Sequence, residues 1–483
     1  MLWAGRSAVE IAAAVRHGDV APETVVEEHL QVIAERDPRL GAFRLVRARA
    51  VEEARAVRKR RDLADLPLAG VPVAVKDNLE VAGEACRHGS AATSAAPARD
   101  DHPAVARLRA AGAVVVGLTN LPELGLVGFG DSAFGTVRNP WDLSRTAGGS
   151  SSGAAAAVSA GMVPIALGND GMGSLRIPAA CCGVLALKPG PGVVPPPVND
   201  WRGLTENGPL AWSVADLSLT LSVLAADQGL AESWRTGSRT EPTRPMLRSV
   251  WADDGDDETW EHRPIRPDAH GPFDLRVAYA PQPLPAGLSM DREFRAAVEA
   301  AAETLRVAGH TIVEHEERLP AWLGPATIAA WLARSGEAAD GLDRGRLERR
   351  SRALGRAGRV LARLSLDGTK GRERWRDYGA DRWFGDADVL ITPTLAAVPP
   401  RADGWARRGL LSTVLANARY APATGPWNMC GWPALSVPIA THSTGLPIAV
   451  QLIAPPGGEP HLLGLAAQLT TAHPAVRPPG HSL

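Results

Sequence analysis

Several things are scarce or missing in this chain, and each absence removes a class of function. Cysteine is scarce: Cys86, Cys181, Cys182 and Cys430 are the four in 483 residues. None forms a C-x-x-C pair, and no His/Cys group has zinc-ligand spacing, so reduced thiols in a cytoplasmic protein are expected, not a disulfide framework or a zinc site. No uncharged apolar run reaches the ~18 residues that cross a bilayer. The start, "MLWAGRSAVEIAAAVRHGD", lacks the basic head, apolar core and cleavage site of a signal peptide. A charge excess is also missing, with 52 basic against 53 acidic residues. That balance argues against a global pull toward nucleic acid or an anionic membrane, and neither is expected as a partner.

What remains is a globular composition, 45% hydrophobic and 22% charged, too long for one ordinary compact core. Residues 7–61 have helical patterning. Ser7 and Glu10 form a capping box, Pro22 stands at a first helical position, and a third helical pattern over about 47–61 ends in Arg58, Lys59, Arg60 and Arg61, a solvated helix end. The pattern then changes. "LAGVPVAVKDN" (68–78) reads as a strand ending in Lys76. Residues 104–120 read helix, turn, strand, and 150–170 read helix, then strand. Such alternation predicts an α/β protein with a mixed central β-sheet flanked by α-helices.

Residues 231–272, with the acidic cluster Asp253, Asp254, Asp256, Asp257 and Glu258, read as a surface insertion. A strand at 275–281, a helix near 290–308 and a strand at "TIVEHE" follow. The Arg-rich stretch 344–374 reads as a solvated helix face, and contact with an acidic partner finds no interleaved aromatics to support it. Strands are predicted at 388–394, 433–440 and 446–455.

The chemistry concentrates in residues 145–189, which hold two Ser-Gly loops, GGSSSG (148–153) and GNDGMGS (168–174). A helix that starts after a Gly-rich loop aims free N–H groups at an anion or oxyanion. A phosphate loop needs a terminal Lys-Ser/Thr or a G-x-G-x-x-G, and neither is present. Gly149, Ser151 and Gly153 satisfy G-x-S-x-G, but a nucleophile elbow needs a strand directly before it, and "NPWDLSRTAG" is turn-forming. A Ser–Ser–Lys arrangement is the third reading.

The ordered motifs "GVPVAVKDN", "TNLPELG", "FGTVRNPWDLSRTAGGSSSGAAAAVSAG", "GSLRIPAACCGVLALKP", "VLITPT" and "WNMCGWPALSVP" make the chain resemble the amidase signature family over about residues 10–470, apart from the insertion at 231–272 and a loosely matching stretch at 310–385. The resemblance implies one domain over 1–483: an N-terminal helical region (1–66), a signature core (67–228), the insertion (229–273), and a segment completing the sheet and a variable pocket (274–483). It implies Lys76 as base, Ser150 as the serine of a cis peptide and proton relay, and Ser174 as nucleophile, with the family's spacing of 24 residues between the serines kept. The backbone amides of Gly171, Met172, Gly173 and Ser174 are then the expected oxyanion hole. Ser151 resembles a supporting family serine, and Asp170 and Arg176 are expected as a structural ion pair. No cofactor or metal is implied; a small-molecule amide is the expected substrate, and dimers are common in the family.

The roles are chemically coherent. A serine hydroxyl needs an adjacent base. A lysine serves only if burial lowers its pKa toward neutrality, an effect that Asp77 would offset if it faced inward. A hydroxyl relays protons because it both donates and accepts. Asn139 and Asn428 are expected to fix loops, and Cys181 and Cys182 to be buried packing residues. Trp427 and Trp432 read as core or as contacts to an apolar acyl group.

The chain departs from the family at Ser152, where GGSSSG stands in place of GGSSGG, and at Asn169, Gly171 and Met172, where "NDGMGS" replaces "TDTGGS". A left-handed backbone at Met172 would be strained, with Gly171 as compensation. The expected activity is therefore an amidase working through an acyl-enzyme. The alternatives are an acyltransferase using the same intermediate, or a catalytically weak binding member. A glutamine-amidohydrolase subunit fits less well, because "LRIPA" stands in place of "IRQPA".

Overall fold

The computed structural model describes residues 3–225, 275–284 and 288–479. The predicted insertion at 231–272 lies outside the described residues. Among the described residues, eleven strands form one mixed sheet. In chain order they are β1 (Phe43–Val46), β2 (Pro72–Lys76), β3 (Val114–Thr119), β4 (Ile165–Asp170), β5 (Leu185–Lys188), β6 (Glu206–Ala211), β7 (Arg276–Tyr279), β8 (Thr311–Glu314), β9 (Val389–Pro393), β10 (Ala434–Thr441) and β11 (Pro447–Ile453). Their order across the sheet is β1-β3-β2-β4-β6-β5-β10-β11-β9-β7-β8. β2 runs parallel to both β3 and β4, whereas β6 is antiparallel to β4 and β5. β2 through β6 are buried along their whole length, and β2, β3 and β5 have the largely apolar sequences that such burial favours.

The N-terminal helices form as their caps dictate. Ser7 and Glu10 make the reciprocal capping box of Ala8–His17, and Pro22 opens Pro22–Leu40. The region is not all helix, however. Phe43–Val46 is extended and pairs antiparallel with β3 at the sheet edge, and the third helix is confined to Ala50–Arg58. A four-residue strand carries too little periodicity to stand out beside two helices. The stretch read as a turn before Gly148 also contains a short hairpin, Arg138–Asn139 with Asp142–Thr146.

The Arg-rich stretch forms two helices, Arg349–Arg363 and Thr369–Arg374, and the arginines of the first are mostly solvated. Arg350 is the exception: it is buried and bonds Asp131 Oδ1 at 2.9 Å and Glu348 Oε2 at 2.7 Å. Trp427 and Trp432 pack with Trp375, Trp383 and Phe384 in an aromatic cluster. They belong to the core and do not line the cavity described below, which settles their role in favour of packing.

Candidate active site

β2 and β4 are parallel neighbours, with Val75 opposite Leu167, so their carboxyl ends open side by side. This end of a sheet is where α/β proteins gather functional groups. β2 ends in Lys76, and β4 ends in Asn169 and Asp170. The loop after β4 (171–175) carries Ser174 and leads into the helix Arg176–Cys182, and the GGSSSG loop leads into the helix Ser152–Ser159.

Lys76 is completely buried. Its Nζ lies 2.8 Å from Ser150 Oγ and 2.6 Å from Asn169 Oδ1. Burial pushes its pKa down to about 7, against a smaller upward pull from the Asp170 carboxylate. Asp77 does not offset that shift. As the next residue along the chain it turns the other way and pairs with Arg44, whose Nη2 reaches Asp77 Oδ1 at 2.9 Å. Burial raises the Asp77 carboxyl, and Arg44 opposes the rise.

Ser150 follows a cis peptide bond with Gly149. The Ser151 N–H donates to the Ser174 carbonyl at 3.0 Å, which joins the two serine loops beside their hydroxyls. The Ser151 hydroxyl donates to the Asn169 carbonyl at 3.1 Å, and that of Ser152 to the Gly148 carbonyl at 2.6 Å. Ser151 thus braces the lysine-binding strand end, and Ser152 closes the first turn of its helix.

Asp170 and Arg176 are a fully buried ion pair, with Nε to Oδ2 at 2.9 Å and Nη2 to Oδ1 at 3.1 Å. Burial alone would raise the Asp170 carboxyl; the Arg176 charge and hydrogen bonds from Arg176 and Asn428 hold it well below the usual carboxylate range. The carboxylate also organises the turn. Oδ1 accepts the Gly173 N–H at 2.5 Å, and Oδ2 accepts that of Leu175 at 3.2 Å. Arg176 reaches on to the Thr424 carbonyl, Gln451 and Asn428. Asn428 fixes this network, and Asn139 fixes the hairpin loop by donating to the Cys181 carbonyl at 2.7 Å. Cys181 and Cys182 are buried, free thiols whose pKa values burial raises far from reactivity.

The left-handed residue of the turn is Gly173, at φ 116°, and not Met172. A Cβ there would lie 2.1 Å from Thr424 Oγ1, so only glycine fits. Met172 therefore bears no such strain, and Gly171 is not its compensation. Gly171 has a different reason to lack a side chain: a Cβ would lie 2.7 Å from Thr205 Oγ1 and 3.1 Å from the Trp201 ring. Because Gly173's N–H is already held by Asp170, the turn's unoccupied amides among the described residues are those of Gly171, Met172 and Ser174. Of the four amides expected to form an oxyanion hole, Gly173's is the one bonded within the turn, to the Asp170 carboxylate.

Ser174 opens onto a cavity of about 170 Å³. Its wall comes from the loop 125–128, the helices Leu323–Ala338, Leu410–Tyr420 and Gly425–Cys430, and Trp201. Asn169 and Trp201 are the residues whose contribution the sequence hid. Asn169 stands out only as a departure from "TDTGGS"; that its amide contacts Lys76 depends on the parallel pairing of β2 and β4.

The chain is similar to known proteins over nearly its whole length. The sequence model of the Amidase family matches residues 24–463. The putative amidase AmiB2 of Mycobacterium tuberculosis is 38% identical over 470 residues, covering 95% of this chain and 94% of that protein. The 6-aminohexanoate-cyclic-dimer hydrolase of Paenarthrobacter ureafaciens is 32% identical over 512 residues, covering 98% and 96%. A solved structure of 6-aminohexanoate cyclic dimer hydrolase with its substrate has a TM-score of 0.79 at 29% identity, covering 99% of each chain. The mixed sheet with flanking helices is the fold of these enzymes. The chain belongs to the amidase signature family. It is an amidase, an enzyme of the amide carbon–nitrogen bond.

Proposed function

We propose that this amidase works through a Ser174 nucleophile, a Ser150 relay and a Lys76 base, with an acyl-enzyme between two half-reactions. The supporting observation is the buried amine of Lys76, 2.8 Å from Ser150 Oγ, in a pocket that lowers its pKa to about 7. A neutral amine there gives an N–H to Asn169 Oδ1 and turns its lone pair to the Ser150 hydroxyl. Ser174 Oγ attacks the amide carbonyl as its proton passes to Ser150, and the Ser150 proton passes to Lys76. The oxyanion forms against the amides of Gly171, Met172 and Ser174, positioned by the Asp170 carboxylate. The relay runs backward to protonate the leaving nitrogen, and water then releases the acid by the same path. A small-molecule amide is the substrate.

An activated-serine reagent such as a fluorophosphonate tests this directly. Intact-mass analysis is expected to show one adduct, mapping to Ser174. Well-folded protein that stays unlabelled overturns the reading.

The lysine also sets the pH dependence. The amine must be neutral to act, so kcat/KM is expected to rise with pH, with an apparent pKa about 7, and to level off above it. The same depressed pKa makes stability rise with pH between about 7 and the ordinary lysine value, and leaves it level below about 7, where the amine is protonated in both states. Asn169→Leu removes an acceptor that favours the ammonium. It should move the acid limb of the profile to lower pH and lower kcat roughly 10-fold or more through a mispositioned amine. A pH–rate profile of both proteins checks the direction; an unmoved limb would rule out this role for Asn169.

A further inference from the structure

We infer that the substrate of this site is an amide whose acyl group is uncharged and apolar, and that Trp201 is a residue that selects it. The inference rests on the Ser174 reading above. Among the described residues, no charged side chain lines the cavity. Its walls are Leu, Ile, Val, Met, Ala, Gly, Pro and two tryptophans, with Thr327, Asn417 and Ser174 as the other polar side chains.

Of these polar groups, those of Thr327, Trp331 and Asn417 are already committed. The Thr327 hydroxyl donates to the Leu323 carbonyl at 2.8 Å, and the Trp331 indole to the Leu126 carbonyl at 2.6 Å. Asn417 gives its N–H to the Thr413 carbonyl at 2.8 Å and takes that of Gly128 at 2.9 Å. A charged group entering this space would lose its water and find no countercharge, whereas an apolar chain gains by burial.

Trp201 is held in place at a backbone cost. It lies at φ 54°, followed by Arg202 at φ 58° and Gly203 at φ 76°, three consecutive left-handed residues. Such a turn persists only when its surroundings enforce it. Here Arg372 does so, with Nη1 on the Arg202 carbonyl at 2.5 Å and Nη2 on that of Gly203 at 2.7 Å. Arg202 itself pairs with Glu337. The clamp sets the Trp201 ring into the cavity wall and against Gly171, beside the proposed oxyanion amides. A threonine at position 171, as in the family pattern, would meet that ring. The glycine is therefore part of the same device.

Phosphonofluoridate probes that differ only in one substituent test this: methyl, hexyl, ω-aminopentyl and ω-carboxypentyl. In each, Ser174 Oγ bonds to phosphorus, fluoride leaves, and the serine proton passes to the relay. Labelling rates come from intact mass. The hexyl probe is expected to react at least about 10-fold faster than either charged probe. Trp201→Ala should slow the hexyl probe by roughly 10-fold and the methyl probe by less than about 3-fold, with Trp201→Phe restoring most of the difference. Charged probes within 10-fold of the hexyl probe overturn the substrate class while leaving Ser174 as nucleophile. If no probe labels Ser174, the nucleophile assignment falls and this inference with it. The wild-type series decides the substrate class even if Trp201→Ala fails to fold.

Discussion

Ser174→Ala is expected to lower amide hydrolysis by roughly four to six orders of magnitude and to abolish labelling by an activated-serine reagent. The side chain faces the cavity and its hydroxyl has no partner among the described residues, so its loss should leave folding intact. Lys76→Met is expected to cost roughly two to four orders of magnitude, the usual range for a general base, and to abolish the rise of activity through pH 7. The double variant should be hardly worse than Ser174→Ala, because groups that act as one relay do not contribute additively. Lys76→Met also separates chemistry from architecture. It exchanges a desolvated amine for an apolar chain of similar length, so thermal stability at pH 6 should hold or rise as activity disappears. Activity and melting temperature, measured on the same samples, check both halves. Residual activity in Lys76→Met above a tenth of wild type would rule out the base.

The second large effect is on stability. Arg176→Met should cost about 3–5 kcal/mol in denaturant unfolding, because it leaves the buried Asp170 carboxylate without its countercharge. It also frees the Thr424 carbonyl, Gln451 and Asn428 from their common donor. Asp170→Asn should be damaging in the same way, since it strands the guanidinium. Replacing both charges should cost less than the sum of the single changes, the mark of two groups that need each other. The Asp170 carboxylate also pulls the Lys76 pKa upward, so whatever Asp170→Asn protein folds should show its acid limb at lower pH than wild type. Equal midpoints for wild type and Arg176→Met would show that the pair carries no net stability.

Much of this was legible in the residues. The strand ending in Lys76, the paired serine loops and their spacing, the capping box at Ser7 and the α/β alternation are all local patterns, dictated by periodicity, caps and turn chemistry. The ion pair of Asp170 and Arg176 was legible too, because six residues of one tight turn separate them. Other features depended on pieces of chain that meet only in the fold. Whether Asp77 faced Lys76, which amide contacts the amine, and where the left-handed residue of the 171–174 turn falls depended on strand pairing and on Thr424, some 250 residues away. The sequence by itself determined the family and the residues proposed for its chemistry, because strand ends and Gly-Ser turns are written locally. Only the tertiary structure decided that Trp201, not Trp427 or Trp432, lines the cavity, and that its walls carry no charge among the described residues, because a cavity is a property of surfaces brought together from distant segments.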